Sequence, residues 1–160
     1  ARADVWGLYF GDAERKIDLN YIIRQEGQRT DANMQVRGAL LNRSVKTFRG
    51  TLDFVQGARG STGKEDEEVT ILSPHVRNRS VPLMLSHEGD VDGHHAVSIG
   101  KMDEEKLFYL MSRGLDDRAA QQLIVEASFE PVLARIENDE LRAEIAHYLE
   151  RRLLGGAQEL

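Results

Sequence analysis

The chain has 160 residues, a formal net charge of −6 and no cysteine. This length suffices for one domain with a real hydrophobic core, or for one domain and an appendage. The acidic balance argues against binding duplex nucleic acid, whose phosphates favour basic surfaces. The lack of cysteine excludes disulfides and a thiolate cluster site on these residues, and it fits a cytoplasmic location.

Residues 1–12 show neither a signal-peptide pattern nor an initiator Met, and they start almost directly in a strand-like run. We therefore expect residue 1 to be a cut within a longer protein or the end of a processed one. No apolar run in the sequence approaches the roughly 20 residues that span a bilayer, so we expect no membrane partner.

Short runs with a period of two dominate the first hundred residues. Apolar residues alternate with polar or small ones at positions 34–40, 48–54, 81–85 and 97–99. This pattern predicts strands, and no helix of ten or more residues fits before position 102. We predict a β core over residues 1–101.

One short sequence occurs twice in this β region. Asn42-Arg43-Ser44-Val45 recurs as Asn78-Arg79-Ser80-Val81, an offset of 36 residues, and each copy precedes an apolar run. If one coil takes about 18 residues, the offset spans two coils of a β-solenoid. An ordinary β-sandwich is the alternative architecture.

A Gly-rich and then acidic stretch, residues 57–68, predicts a solvated connecting loop. Within it, Gly60-Ser61-Thr62-Gly63-Lys64 resembles part of a phosphate-binding loop. That motif requires another Gly at the position of Ala58, and the carboxylate of Glu65 would repel phosphate. We interpret the stretch as a polar loop and not as a nucleotide site.

Potential metal ligands are concentrated before and within the last predicted strand: His87, Glu88, Asp90, Asp92, His94 and His95. Histidine and carboxylate suit zinc or iron, which makes His87, Asp90 and Asp92 candidate metal ligands. A solvated acidic turn is the alternative, since no fixed spacing dictates which side chains converge. On a strand His94 and His95 point to opposite faces, so at most one of them joins a given site.

The period becomes helical from position 102, and we predict a helical region over residues 102–153 and a flexible tail over 154–160. Asp103 is the expected N-cap of the first helix, and Gly114 its terminator. The second helix is expected to start at Asp116 and to break at Pro131, which would open a short third helix. Asn138 is expected to cap a fourth.

Two of these helices show candidate buried faces. The predicted inner residues are Ala120, Leu123, Ile124 and Ala127 on the second helix, and Leu141, Ile145, Tyr148 or Leu149, and the stem of Arg152 on the last.

The segment from Asp90 to Leu115 carries a long motif. It consists of Asp90-Val91, His95-Ala96, Gly100, Met102-Asp103-Glu104-Glu105, Leu107-Phe108-Tyr109-Leu110 and Ser112-Arg113-Gly114-Leu115. The motif resembles that of the SufB/SufD family of iron–sulfur cluster assembly proteins. The resemblance implies a right-handed parallel β-helix with a helical C-terminal part, which agrees with strands first and helices after.

The resemblance also implies a non-catalytic role in cluster assembly. His95 coincides with the histidine of the family's HGA motif, so His95 and the adjacent His94 are the candidate cluster-assembly or interface residues. The helical part would dock the SufC-like ATPase through Leu107, Phe108, Tyr109, Met111 and Arg113. The β-helix would pair with a SufB-like or identical subunit, and an iron–sulfur cluster would form only in the full complex.

Two departures from the family pattern place the chain closer to SufD than to SufB. SufB-like scaffolds carry a cysteine in this region, and this chain has none. SufB-like members also tend to have Glu after the histidine, whereas Ala96 follows His95 here. Two other hypotheses stay open: a β-helix enzyme acting on a polysaccharide, and a simple metal-binding module of histidines and carboxylates.

Overall fold

The structure, a computed structural model, describes residues 1–155. Seven strands precede three helices, as the change of period predicts. The strands are β1 (Arg2–Gly11), β2 (Lys16–Gln25), β3 (Asp31–Leu40), β4 (Val45–Phe54), β5 (Ser61–Ile71), β6 (Arg77–Ser86) and β7 (Val91–Lys101). The helices are α1 (Glu104–Ser112), α2 (Asp117–Leu133) and α3 (Asp139–Gly155). The tail predicted over 154–160 lies mostly outside the described residues.

The strands wind into a parallel β-helix. Odd-numbered strands form one sheet in the order β1-β3-β5-β7, and even-numbered strands form a second in the order β2-β4-β6. Every pairing is parallel. The predicted solenoid is therefore confirmed, and the β-sandwich alternative is wrong.

The predicted coil length is wrong. Arg2 pairs with Asp31, and Asp31 pairs with Thr62, so one coil takes about 30 residues and contains two long strands. The repeated Asn-Arg-Ser-Val sequence does not mark equivalent positions. Its first copy ends at Val45, which pairs with Arg77, while its second copy lies inside β6.

The loop predicted over residues 57–68 is also wrong in most of its length, because β5 starts at Ser61. This strand is central in its sheet, between β3 and β7. Its buried residues alternate with exposed or half-buried ones from Ser61 to Val69, so it obeys the strand period. Four of the five buried positions are small or acidic and only Val69 is apolar, so the composition of this interior strand is that of a polar loop.

Apolar packing occurs in two layers. Inside the coils, Met34, Val36, Leu40 and Phe48 form one cluster with Val69. Outside, helices α2 and α3 cover the outer face of β1 and β3. This outer cluster consists of Phe10, Ala39, Val125, Phe129, Leu133, Leu149 and Leu153. The helices are therefore part of the core and not an appendage to it.

Helix α2 runs through Pro131 to Leu133, so the predicted break and the short third helix are wrong. A proline inside a helix costs about 3 kcal/mol because it lacks the N–H and crowds the preceding turn. Here buried residues lie on both sides of it, Phe129 before and Val132 and Leu133 after. Their packing against the sheet outweighs the local cost over the last turn.

The predicted helix ends are largely confirmed. Asp103 accepts hydrogen bonds from the backbone N–H of Glu105 and Lys106, both at 3.1 Å. Asp116 caps α2, Asn138 caps α3, and Gly114 has a positive φ of 100° after α1. Within residues 1–155, no helix is long and apolar enough to cross a membrane.

The predicted buried faces are right only in part. On α2, Ala120 is buried, but Leu123 and Ala127 are exposed, and the face has rotated toward Val125 and Phe129. On α3, Leu149 is buried and Ile145 packs against the core, whereas Leu141 is exposed.

Candidate functional site

Two carboxylates lie inside the β-helix. Glu65 and Glu67 stand two positions apart on β5, so both point to the interior, and both are fully buried. A buried carboxylate is costly unless it is paired and hydrogen-bonded. Each of the two has a partner from a different coil.

Glu67 is paired with a lysine. The Lys46 Nζ on β4 donates to Glu67 Oε1 over 2.5 Å and to Ser80 Oγ over 3.0 Å. The Tyr9 hydroxyl donates to the same Glu67 oxygen over 3.0 Å. Lys46 also lies over the rings of Tyr9 and Phe48, at 5.2 and 5.5 Å from their centroids.

Burial shifts the titration of this group. It lowers the pKa of Lys46, and the hydrogen bond and charge of Glu67 act in the opposite direction. The pKa of Tyr9 is raised by burial and then by the charge of Glu67, so the phenol stays protonated and donates its hydrogen. Lys46, Glu67, Tyr9 and Ser80 are thus joined by interior hydrogen bonds.

Glu65 is paired with a histidine. His95 on β7 is its register partner, and the His95 Nδ1 lies 2.5 Å from Glu65 Oε2. Burial raises the pKa of Glu65, while the hydrogen bond with His95 opposes the shift. The His95 side chain keeps 21% of its surface exposed, whereas Glu65 is fully buried. The pair therefore lies at the boundary between the interior and the solvent, at β7.

Glycines make room for these side chains. A Cβ on Gly50 of β4 would lie 2.5 Å from Glu65 Oε1, and one on Gly38 of β3 would lie 1.9 Å from the Tyr9 ring. Real Cβ atoms essentially never come so close to another heavy atom that is not bonded to them, so neither glycine can be replaced without a shift. The polar interior therefore depends on small residues at positions that the sequence alone does not single out.

Several interior polar atoms lack a protein partner among the described residues. They are Glu65 Oε1, Glu67 Oε2, His95 Nε2 and both side-chain polar atoms of Asn78. Buried polar groups are nearly always hydrogen-bonded, so these atoms are the ones able to hold water or the polar part of a bound group. The interior near β6 and β7 is therefore chemically suited to polar contents.

The family model described as "SUF system FeS cluster assembly, SufBD core domain" matches residues 1–128. This chain belongs to the SufBD family. Its alignment with the iron–sulfur cluster assembly protein SufD of Bacillus subtilis has 26% identity over 150 residues. This alignment covers 94% of this chain and 34% of that protein. Its alignment with an iron–sulfur cluster assembly SufBD family protein of Pyrococcus horikoshii has 31% identity over 150 residues. This second alignment covers 94% of this chain and 33% of that protein.

The resemblance inferred from the motif at residues 90–115 is thus confirmed. The chain spans about a third of the length of these curated SufBD relatives. The description of the matching family model connects the family with the SUF system of iron–sulfur cluster assembly.

His95 of the SufBD motif and the adjacent His94 point to opposite faces, as predicted. His95 faces the interior and contacts Glu65. His94 is exposed on the outer face, where its Nε2 lies 3.1 Å from the Asp92 Oδ1. Of the two candidates, only His95 belongs to the buried network.

The candidate metal ligands do not converge. His87 lies beside Asp53, with 3.8 Å between its Nε2 and Asp53 Oδ1, while Asp92 contacts His94 and Asp90 is exposed before β7. Over residues 1–155, no three histidine, aspartate or glutamate side chains are placed to hold a metal ion together. His87, Asp90 and Asp92 are each exposed, and they lie apart from one another in separate contacts.

The candidate docking residues lie on α1, which has no fully buried residue. Leu107 is half-buried, whereas Phe108, Tyr109 and Met111 are exposed, Phe108 by 74%. Arg113 lies over the Tyr109 ring at 5.3 Å. An exposed aromatic and apolar surface thus follows directly after β7.

Sequence reasoning missed Lys46, Tyr9, Glu65 and Glu67. One signal was present: from Ser61 to Val69 every second residue is small, acidic or apolar, and the residues between are all polar or charged, namely Thr62, Lys64, Asp66 and Glu68. That signal indicates a strand, but it does not tell which cation meets which carboxylate.

Proposed function

We propose that this chain is a non-catalytic, SufD-like subunit of a cytoplasmic SUF assembly complex. It pairs with a SufB-like or identical subunit through the β6/β7 end of the β-helix and docks a SufC-like ATPase through α1. The observation that carries the proposal is the open β6/β7 end, where edge strands, exposed apolar side chains and His95 occur together.

The apolar side chains at this end occupy interior positions. Met84 is the register partner of Leu52, and Ile99 that of Val69; both partners are buried. Met84, Val97 and Ile99 are nevertheless 37%, 38% and 52% exposed, because no further coil covers them among residues 1–155. Apolar surface of this kind favours association by about 25 cal/mol per Å² buried.

The backbone at this end also supports pairing. Strands β6 and β7 are each the last in their sheet, so each has one unpaired edge. An unpaired edge is a template for a strand of another chain. Apolar interior positions and free edges together fit a second β-helix placed end to end.

The surface of α1 supports the second contact. Phe108 and Tyr109 are large, exposed and next to Met111, and aromatic residues contribute most to the binding energy of many interfaces. The helix also begins two residues after β7 ends, so a force on it acts directly on the strand of His95. ATP-driven movement of a docked ATPase would alter access to His95 through this connection.

The cluster is the cargo of this complex and not a resident group of the chain. The chain contains no cysteine to ligate iron, so this subunit contributes His95 at the interface and the partner supplies thiolates.

Ile99→Asp tests the end-to-end contact. We expect the dimer dissociation constant to rise about 10- to 100-fold, because the substitution removes apolar burial worth about 1.5–3 kcal/mol and introduces a charge. Sedimentation velocity over a concentration series measures it. Ile22→Asp is the matched control, since Ile22 is equally exposed but lies on the outer face of β2. A wild-type chain that stays monomeric, or an Ile99→Asp dimer of full strength, contradicts the proposal.

Phe108→Asp tests ATPase docking. We expect at least a tenfold loss of affinity for the SufC-like ATPase, measured by titration calorimetry, since a central aromatic contact is worth about 2 kcal/mol or more. Leu123→Asp, on the exposed side of α2, is the control. Deleting residues 103–153 is a less specific test, because it also removes the buried residues of α2 and α3. Undiminished binding by Phe108→Asp refutes the assignment of α1.

A further inference from the structure

We infer that Glu65 is a positioning residue for His95: it holds the Nδ1 side of the ring and leaves a lone pair on the buried, unpaired Nε2, on the last strand of the first sheet. This inference deepens the proposed function and rests on it for the role of the β6/β7 end. The geometry of the pair, however, is a property of the single chain.

The backbone fixes the pair. Glu65 and His95 are register partners on adjacent parallel strands, and both side chains face the interior. The contact therefore depends on the β5–β7 ladder and not on a loop. The Nδ1 and Oε2 atoms lie 2.5 Å apart, well within hydrogen-bond distance, and a carboxylate acceptor makes such a bond charge-assisted.

The carboxylate is itself held in place. Glu65 is fully buried, and its Oε1 lies close against the backbone of β4, because even a single methyl group on Gly50 would come within 2.5 Å of it. The same methyl group would lie 3.0 Å from the Phe48 ring, so the space between Gly50, Phe48 and Glu65 is filled. Glu65 thus has little space to turn away from the imidazole.

A carboxylate that accepts from Nδ1–H selects one tautomer of the neutral imidazole. In that tautomer Nε2 carries no hydrogen and offers a lone pair. The His95 Nε2 is itself buried and has no partner among the described residues, although other atoms of the side chain keep 21% of its surface exposed. Carboxylates orient histidine ligands in this way and raise their basicity, so Nε2 is prepared to accept a hydrogen bond or to donate to a transition metal.

A purely structural ion pair would have different consequences. It would bring together an imidazolium and a carboxylate, both ring nitrogens would carry hydrogens, and Nε2 would be unable to accept. The protonation of each nitrogen therefore distinguishes a positioning role from a role in stability alone.

The test is nitrogen NMR of the wild-type chain labelled with 15N-histidine, recorded near pH 8, above the ordinary titration of imidazole. We expect His95 to show a protonated Nδ1 and an unprotonated Nε2, with Glu65→Gln shifting the population toward the Nε2–H form. His95→Gln assigns the signal. A wild-type His95 that is doubly protonated or carries hydrogen on Nε2 overturns the inference, and so does an unchanged tautomer in Glu65→Gln.

Asp92→Asn is the matched control. Asp92 contacts the exposed His94 on the same strand, and this substitution should leave the His95 signals unchanged. Should Glu65→Gln fail to fold, the wild-type spectrum alone still decides the inference, and Gly50→Ala offers a second variant that displaces the carboxylate without removing its charge.

A functional readout follows in the assembled complex with the ATPase and a SufB-like partner. We expect Glu65→Gln to lower the iron and sulfide content in the same direction as His95→Ala, by about tenfold if the effect equals that of losing other carboxylate partners of histidine ligands. Content equal to that of the wild type refutes the positioning role. Because sedimentation reports dimerisation separately, an unchanged dimer with an altered tautomer separates this inference from the end-to-end contact.

Discussion

Lys46→Met is expected to lower the free energy of unfolding by about 3–5 kcal/mol, because it leaves the fully buried Glu67 without its cation. The Ser80 hydroxyl loses its contact with the ammonium as well. Urea unfolding followed by far-UV circular dichroism measures the change. A loss below about 1 kcal/mol would show that the pair is hydrated and not enclosed as the structure has it.

The double variant Lys46→Met/Glu67→Leu is the control for this result. Replacing both members of a buried ion pair by apolar residues is often neutral or stabilising, so most of the lost stability should return. The recovery should be incomplete, since the Tyr9 hydroxyl then lacks its acceptor, at a cost of about 1–3 kcal/mol. Adding Tyr9→Phe should recover that remainder.

Phe129→Ala is expected to destabilise the chain by about 3–5 kcal/mol, which corresponds to roughly 10 °C in Tm for a chain of this size. Phe129 is buried between α2 and the outer face of the first sheet. It also lines an apolar cleft of about 380 Å³ with Leu8, Ile145 and Leu149, so its removal enlarges a space that is already incompletely filled. Thermal unfolding measures the shift.

Leu123→Ala provides the comparison on the same helix. Leu123 is 45% exposed, and its truncation should change stability by no more than about 0.5 kcal/mol. Equal effects of the two substitutions would mean that the helices do not pack on the β-helix through the face described above.

The elements that sequence predicts well are those whose signals are local. The apolar alternation at positions 34–40 and 48–54 lies in β3 and β4, and the caps at Asp103 and Asp116 depend on backbone groups two or three residues away. The family motif at residues 90–115 is continuous, and the identification that rests on it is confirmed.

The elements that sequence misses depend on distant partners. Lys46, Tyr9 and His95 contact the carboxylates of β5 across 21, 58 and 30 residues of sequence. Without knowledge of those partners, Gly-Ser-Thr-Gly-Lys followed by acidic residues is typical of a loop. The same reason explains Pro131, since a local penalty was outweighed by packing against strands more than ninety residues earlier.

In two interior rows of the β-helix, the stacked side chains become more polar from the first coil to the last. Stacked positions change from Val5 to Met34 to Glu65 to His95 along one row of the first sheet, and from Ile17 to Lys46 to Asn78 along one row of the second. These two rows thus begin with apolar side chains at β1 and β2 and end with polar side chains at β7 and β6. A buried polar group therefore finds hydrogen-bonding partners in the later coils of the stack and none in the first position of either row.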